Sequence, residues 1–142
     1  MSRSAIRHTR ISVGVFVSVV LFAASMQAGW AQTPKSGEQV YKEVCTACHA
    51  TGVSNAPKFG DKKAWARLIK EGQVTLTIDG WFGVRAMPPK GGNPNLALDE
   101  FARAVAFMAG AAGANWKDPD AAMLDQLKAA EQKKLDKAKA KK

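Results

Sequence analysis

The 142-residue chain predicts an all-α fold, and three observations carry that prediction. Apolar residues recur at helical spacing: Trp65, Leu68 and Ile69 fall at i, i+3, i+4, and Leu98, Phe101, Val105 and Met108 mark one face of a later segment. Cys45, Cys48 and His49 follow directly on Gly37 to Val44, which also reads as helix. Val74 to Trp81 alone has strand-like propensity, but a single strand would have no partner, so it reads as a short helix.

Residues 1–31 have the pattern of a secretory signal peptide. Arg3, Arg7 and Arg10 give a positive start without an acidic residue, and Ile11 to Met26 is a mostly apolar run. Gly29-Trp30-Ala31 offers small residues at the two positions a signal peptidase inspects, which places cleavage after Ala31. The alternative is an uncleaved membrane anchor, for which the run falls short of the roughly 20 apolar residues a bilayer needs.

Gln32 to Ser36 is a polar lead-in, and the Ser36 hydroxyl is placed to cap the first helix. Val40, Tyr41 and Val44 give that helix an apolar face. Ala50 to Gly60 contains Gly, Pro and Ser and reads as a loop. Asp61 is the N-cap of a helix over Lys62 to Glu71, which Gly72 stops. Gly83 to Pro94 is a Gly/Pro-rich loop around Met87, and Leu98 to Ala109 is the last strongly periodic helix, with Asp99 and Glu100 in its first turn. The domain is expected to end at Trp116. Residues 117–142 hold eight lysines, five acidic residues and a thin stripe of Met123, Leu124, Leu127 and Leu135, and read as a marginally helical, mobile tail.

Cys45-Thr46-Ala47-Cys48-His49 is the Cys-x-x-Cys-His pattern of a c-type haem attachment site. One helical turn brings both thiols to one side, where each forms a thioether with a haem vinyl group, and His49 follows as a ligand for the iron. A thioredoxin-like pair would need a preceding buried strand, and a zinc site would need a second Cys or His cluster; neither is present. The chain has no other cysteine, so both thiols are consumed and no disulfide forms. One covalent haem c, with its iron, is the expected cofactor, and its apolar body supplies interior that so small a domain lacks.

His8 lies in the leader, so His49 is the one histidine of the mature chain, and two-histidine ligation within it is excluded. Met108 and Met123 sit at helical spacing and read as packing residues. Met87 lies in the irregular loop, followed by Pro88-Pro89-Lys90-Gly91-Gly92, where two prolines fix the backbone and let it hold a thioether at a set distance. Met87 is the expected sixth ligand; packing and an open iron site are the alternatives.

The order helix, Cys-x-x-Cys-His, methionine loop, C-terminal helix resembles a class I mono-haem cytochrome c, and within that class the bacterial cytochrome c5 group. The resemblance rests on Val40-Tyr41 with the haem motif, Gly52 with Ala56-Pro57-Lys58, Ala64-Trp65, Ala86-Met87-Pro88-Pro89-Lys90-Gly91-Gly92-Asn93, and Ala104-Val105-Ala106-Phe107-Met108. It covers Gly37 to about Ala109. It implies the class I fold, a small helical domain wrapped around the haem. It also implies that the Pro57 carbonyl accepts from the ligand histidine and that Gly37 meets Phe107 where first and last helices cross. Trp65 would belong to the haem environment, with a propionate as its candidate partner. Some members carry a second cysteine pair after the methionine loop; here Gly91 to Asn95 occupies that place.

The formal charge is +9 and falls to +6 without the three leader arginines; two haem propionates would bring it to about +4. A moderately basic, exported domain is expected to meet acidic partners, with Lys58, Lys62, Lys63 and Lys90 near the haem as a candidate docking rim. Nucleic acid is not an expected partner, membrane contact is at most transient, and the chain is expected to be a monomer. His/Met ligation leaves no vacant iron position, so the sequence points to a periplasmic one-electron carrier and not an enzyme. The alternatives are a haem subunit of a periplasmic dehydrogenase complex and a gas-binding or sensor cytochrome with a labile Met87.

Overall fold

The computed structural model describes residues 33–141; the expected leader and its cleavage position lie outside the described residues. A capping box opens α1 (Gly37–Val40): Gln39 N–H donates to Ser36 Oγ at 3.2 Å, and Ser36 N–H donates back to Gln39 Oε1 at 2.8 Å. The helix continues through one π-helical turn, Tyr41–Cys45, into α2 (Thr46–His49). After the loop comes α3 (Lys62–Lys70), capped by Asp61, whose carboxylate accepts from Lys63 and Ala64 N–H at 3.0 Å each. Then follow α4 (Gln73–Phe82), α5 (Leu98–Ala111) and α6 (Ala121–Lys139), with short 3-10 turns at Val53–Asn55 and Pro89–Gly92. Among the described residues there is no β-sheet, so the all-α expectation holds.

Val74 to Trp81 is helical against its propensity because burial decides it. Ile78 and Trp81, three residues apart and so neighbours on one side of the helix, are both buried, each in one of two adjoining cores. The larger core joins Val40, Cys45, Trp65, Trp81, Phe101 and Val105. Met108, only 3% exposed, belongs to it as a packing residue.

α1 crosses α5 at its N-terminal end, at Gly37. A β-carbon on Gly37 would lie 2.3 Å from the Arg103 carbonyl oxygen and 3.0 Å from Phe107 Cβ, so only hydrogen fits between the helices. The contact implied by resemblance is present. Beside it, Tyr41, Phe59 and Phe107 form an aromatic group with ring centroids 4.5 to 5.6 Å apart.

The tail, expected to be marginally helical and mobile, forms a helix over Ala121–Lys139 that packs on α4. Asp120 caps it by accepting from Met123 N–H at 2.8 Å. The first three members of its stripe are used, with Leu127 at 0% exposure against Ile78 and Ala102, and Met123 and Leu124 packed around them. Beyond Leu127 polar contacts take over, as Lys134 pairs with Asp79 at 2.7 Å. Leu135, the last member of the expected stripe, is exposed. Leu127→Ala is therefore expected to cost ~3 kcal/mol of stability in guanidinium denaturation of the holoprotein, as for other fully buried leucines. A change under about 0.5 kcal/mol would mean that α6 does not stay docked.

Candidate haem site

Three short stretches of backbone present the expected donors. Cys45 ends the π-helical turn and is buried, whereas Cys48, in the following α-helical turn, is exposed. Burial pushes the Cys45 thiol up to about 11, and the neighbouring Cys48 adds in the same direction. Neither is in a disulfide, and they lie three residues apart on one helix.

His49, 7% exposed, closes α2. The chain then turns back, and the Phe59 N–H donates to the His49 carbonyl at 2.7 Å. That return brings the Pro57 carbonyl within 2.9 Å of His49 Nδ1. A carbonyl only accepts, so Nδ1 carries the proton and Nε2 keeps its lone pair. A ring held in that tautomer suits a metal on Nε2. Trp65 stands beside it, with ring centroids 6.1 Å apart.

Trp65 is 3% exposed and packs beside His49. Its indole N–H donates to the Lys58 carbonyl at 2.8 Å, which uses the only donor the ring has. A cleft of about 370 Å³ opens next to Pro57, where Lys58, Arg67 and Arg85 outnumber Asp61. It is a cationic setting for an anionic group.

Met87 is set by a tight hairpin. Val84 N–H donates to the Met87 carbonyl at 3.1 Å and Met87 N–H to the Val84 carbonyl at 2.9 Å, with Arg85 in the left-handed region at φ 54°. Gly83 adopts φ 84°, and a β-carbon there would meet Pro89 N at 2.8 Å and the Met87 carbonyl at 2.9 Å. Backbone pairing as well as the two prolines therefore fixes the loop. The Met87 thioether methyl reaches α4, where a β-carbon on Gly80 would be 3.5 Å from it. Lys90 departs from the expected docking rim: its ammonium folds over the Trp81 ring, while Lys58, Lys62 and Lys63 remain exposed.

This donor set fits a haem: paired thiols on one helix, an imidazole with Nε2 open, and a thioether on a braced loop. Thr77 Oγ1 is fully buried without a partner among the described residues, one turn before Gly80 on the face of α4 that meets Met87. Sequence reasoning did not single out Thr77 or Trp81, and it placed Lys90 only in the docking rim. Only the general need of a buried indole for an acceptor could have drawn attention to Trp81.

A family model described as "Cytochrome C oxidase, cbb3-type, subunit III" matches residues 32–108. Cytochrome c-555 of Chlorobaculum tepidum is 40% identical over 102 residues, covering 67% of this chain and 94% of that protein. Cytochrome c5 of Azotobacter vinelandii is 41% identical over 78 residues, covering 54% of this chain and 94% of its own length. Among solved structures, a chain from the crystal structure of an electron transfer complex of nitrite reductase with cytochrome c superposes with a TM-score of 0.52. It is 45% identical and covers 54% of this chain and 93% of its own.

Proposed function

Given that the chain belongs to the cytochrome c family and is a small c-type electron carrier with covalently bound haem c, we propose that it works in the periplasm as a one-electron carrier with His49 and Met87 as axial ligands. The observation that carries this reading is the 2.9 Å hydrogen bond from His49 Nδ1 to the Pro57 carbonyl, directly after the two cysteines. Bound haem supplies a reversible ferrous/ferric couple. Cys45 and Cys48 hold it on the helix, and the Pro57 carbonyl fixes the imidazole plane and raises its basicity. The Val84–Met87 hairpin would supply the thioether, and a thioether ligand favours the ferrous state. With His49 and Met87 both holding the iron, the chain would leave no position open to substrate, and we read it as a carrier and not an enzyme.

Redox proteins are its partners, and we infer that they present acidic docking surfaces to Lys58, Lys62 and Lys63. No helix among the described residues is long and apolar enough to cross a membrane. The periplasmic address rests on the leader pattern of residues 1–31 and on the extracytoplasmic chemistry of haem attachment.

The test is the optical spectrum and midpoint potential of the holoprotein and its methionine variants. The wild type should show the weak thioether-to-iron band. Met87→Ala should lose it and bind carbon monoxide when reduced, and Met87→His should lower the potential by on the order of 100 mV. Met108→Leu and Met123→Leu should do neither. An unchanged sixth-ligand spectrum in Met87→Ala would overturn the ligation.

A further inference from the structure

Helix α6 lies beyond the residues that the family model matches, 32–108, yet it touches a residue of α4 on which the methionine loop also packs. The meeting point is Trp81, 8% exposed. Its indole N–H donates to Glu131 Oε1 of α6 at 2.7 Å. The Lys90 ammonium lies 4.3 Å from the ring centroid, and Phe101 meets the ring edge-on at 5.7 Å. That same ammonium donates to the Pro94 carbonyl at 3.0 Å and the Leu96 carbonyl at 3.4 Å. Lys90 is three residues beyond Met87, across Pro88 and Pro89, whose fixed φ passes its position back along the chain. Its own backbone is left-handed at φ 55°, a conformation lysine seldom adopts unless its surroundings hold it there.

The charges reinforce one another through the ring. A carboxylate that accepts from the indole N–H makes a charge-assisted hydrogen bond and leaves the ring more electron-rich. An electron-rich face attracts the Lys90 ammonium more strongly, and partial burial limits screening by water. Glu131 thus bears on Lys90 without touching it.

We propose that Glu131 is a positioning residue for Met87. Acting through Trp81 and Lys90, it holds the Pro88–Gly92 turn and so lengthens the residence of the thioether on the iron. This rests on the reading of Met87 as sixth ligand, and it gives α6 a task at the haem site that its distance in sequence conceals. A merely structural α6 would be served equally by its other anchor, the Lys134–Asp79 pair at 2.7 Å.

The experiment compares Glu131→Ala, Glu131→Gln, Lys90→Met, the double variant Glu131→Ala/Lys90→Met and Lys134→Met, each as ferric holoprotein. Cyanide binding, whose rate is limited by departure of the thioether, is measured beside the thioether-to-iron band and guanidinium stability. Glu131→Ala and Lys90→Met should each speed cyanide entry by roughly tenfold. Glu131→Gln, which keeps the hydrogen bond and loses the charge, should fall between. The double variant should be no faster than the faster single variant, and Lys134→Met should lower stability without changing the rate. An unchanged rate in Glu131→Ala overturns the proposal, as does equal acceleration in Lys134→Met. A wild type without the thioether band would remove Met87 as ligand and this proposal with it, whereas a band present but indifferent to Glu131 removes this proposal alone.

Discussion

Replacement of His49 by alanine is expected to convert the low-spin holoprotein to a high-spin form, with haem retained on Cys45 and Cys48. Added imidazole should restore the low-spin spectrum. The imidazole is 7% exposed, and its removal leaves a ring-sized hole beside Trp65 that free imidazole can fill. It also strands the half-buried Pro57 carbonyl, which has no other partner among the described residues, so a stability loss of about 3 kcal/mol should accompany the spectral change. Pro57→Ala is the contrast. Its acceptor is a backbone oxygen that alanine keeps, so the low-spin spectrum should survive. A His49→Ala protein that remains low-spin without imidazole would show that the proximal nitrogen comes from elsewhere.

Gly37→Ala is expected to destabilise the holoprotein by about 3 kcal/mol or more, read as a lower guanidinium midpoint. Two effects oppose each other. Alanine is the better helix former by ~1 kcal/mol, which favours the variant. Against that, its methyl would lie 2.3 Å from the Arg103 carbonyl oxygen and 2.7 Å from the carbonyl carbon, and backbone atoms do not rotate aside. Overpacking forces α1 off α5 and loosens the Tyr41, Phe59 and Phe107 group that the crossing aligns. The clash wins. A variant as stable as the wild type would mean that the two helices do not approach as closely as the structure has them.

The two sites differ in how far the sequence discloses them. Cys45, Cys48 and His49 are legible because their chemistry depends on spacing, and spacing is what a sequence records. The acceptor of His49 is a main-chain oxygen, which every residue has, so Pro57 could be reached only through resemblance. The Gly37 crossing is similar, since a glycine does not announce which helix will press on it. Helix α4 was legible for a reason of topology, the lack of any strand to pair with. α6 was not. Its apolar face spans little more than two turns, and its remaining anchors, Glu131 on Trp81 and Lys134 on Asp79, join residues 50 and 55 positions apart. Local periodicity carries no trace of such pairs. The backbone pairing of Val84 with Met87 escaped for a related reason, because Arg85 is not a residue that advertises a left-handed turn.

The π-helical turn at Tyr41–Cys45 has a consequence for comparing chains of different length. An α-helix rotates by about 100° per residue, and a π turn absorbs roughly one extra residue without passing that rotation on. An uninterrupted α-helix of the same length would leave Cys45, Cys48 and His49 aimed about 100° away from their present direction relative to Gly37. A homologue with one residue fewer between Gly37 and Cys45, and a plain α-helix there, would aim both ends alike. Deleting one residue between Tyr41 and Val44 is therefore expected to leave the haem motif aimed as it is, while a deletion anywhere from Cys45 to His49 is not.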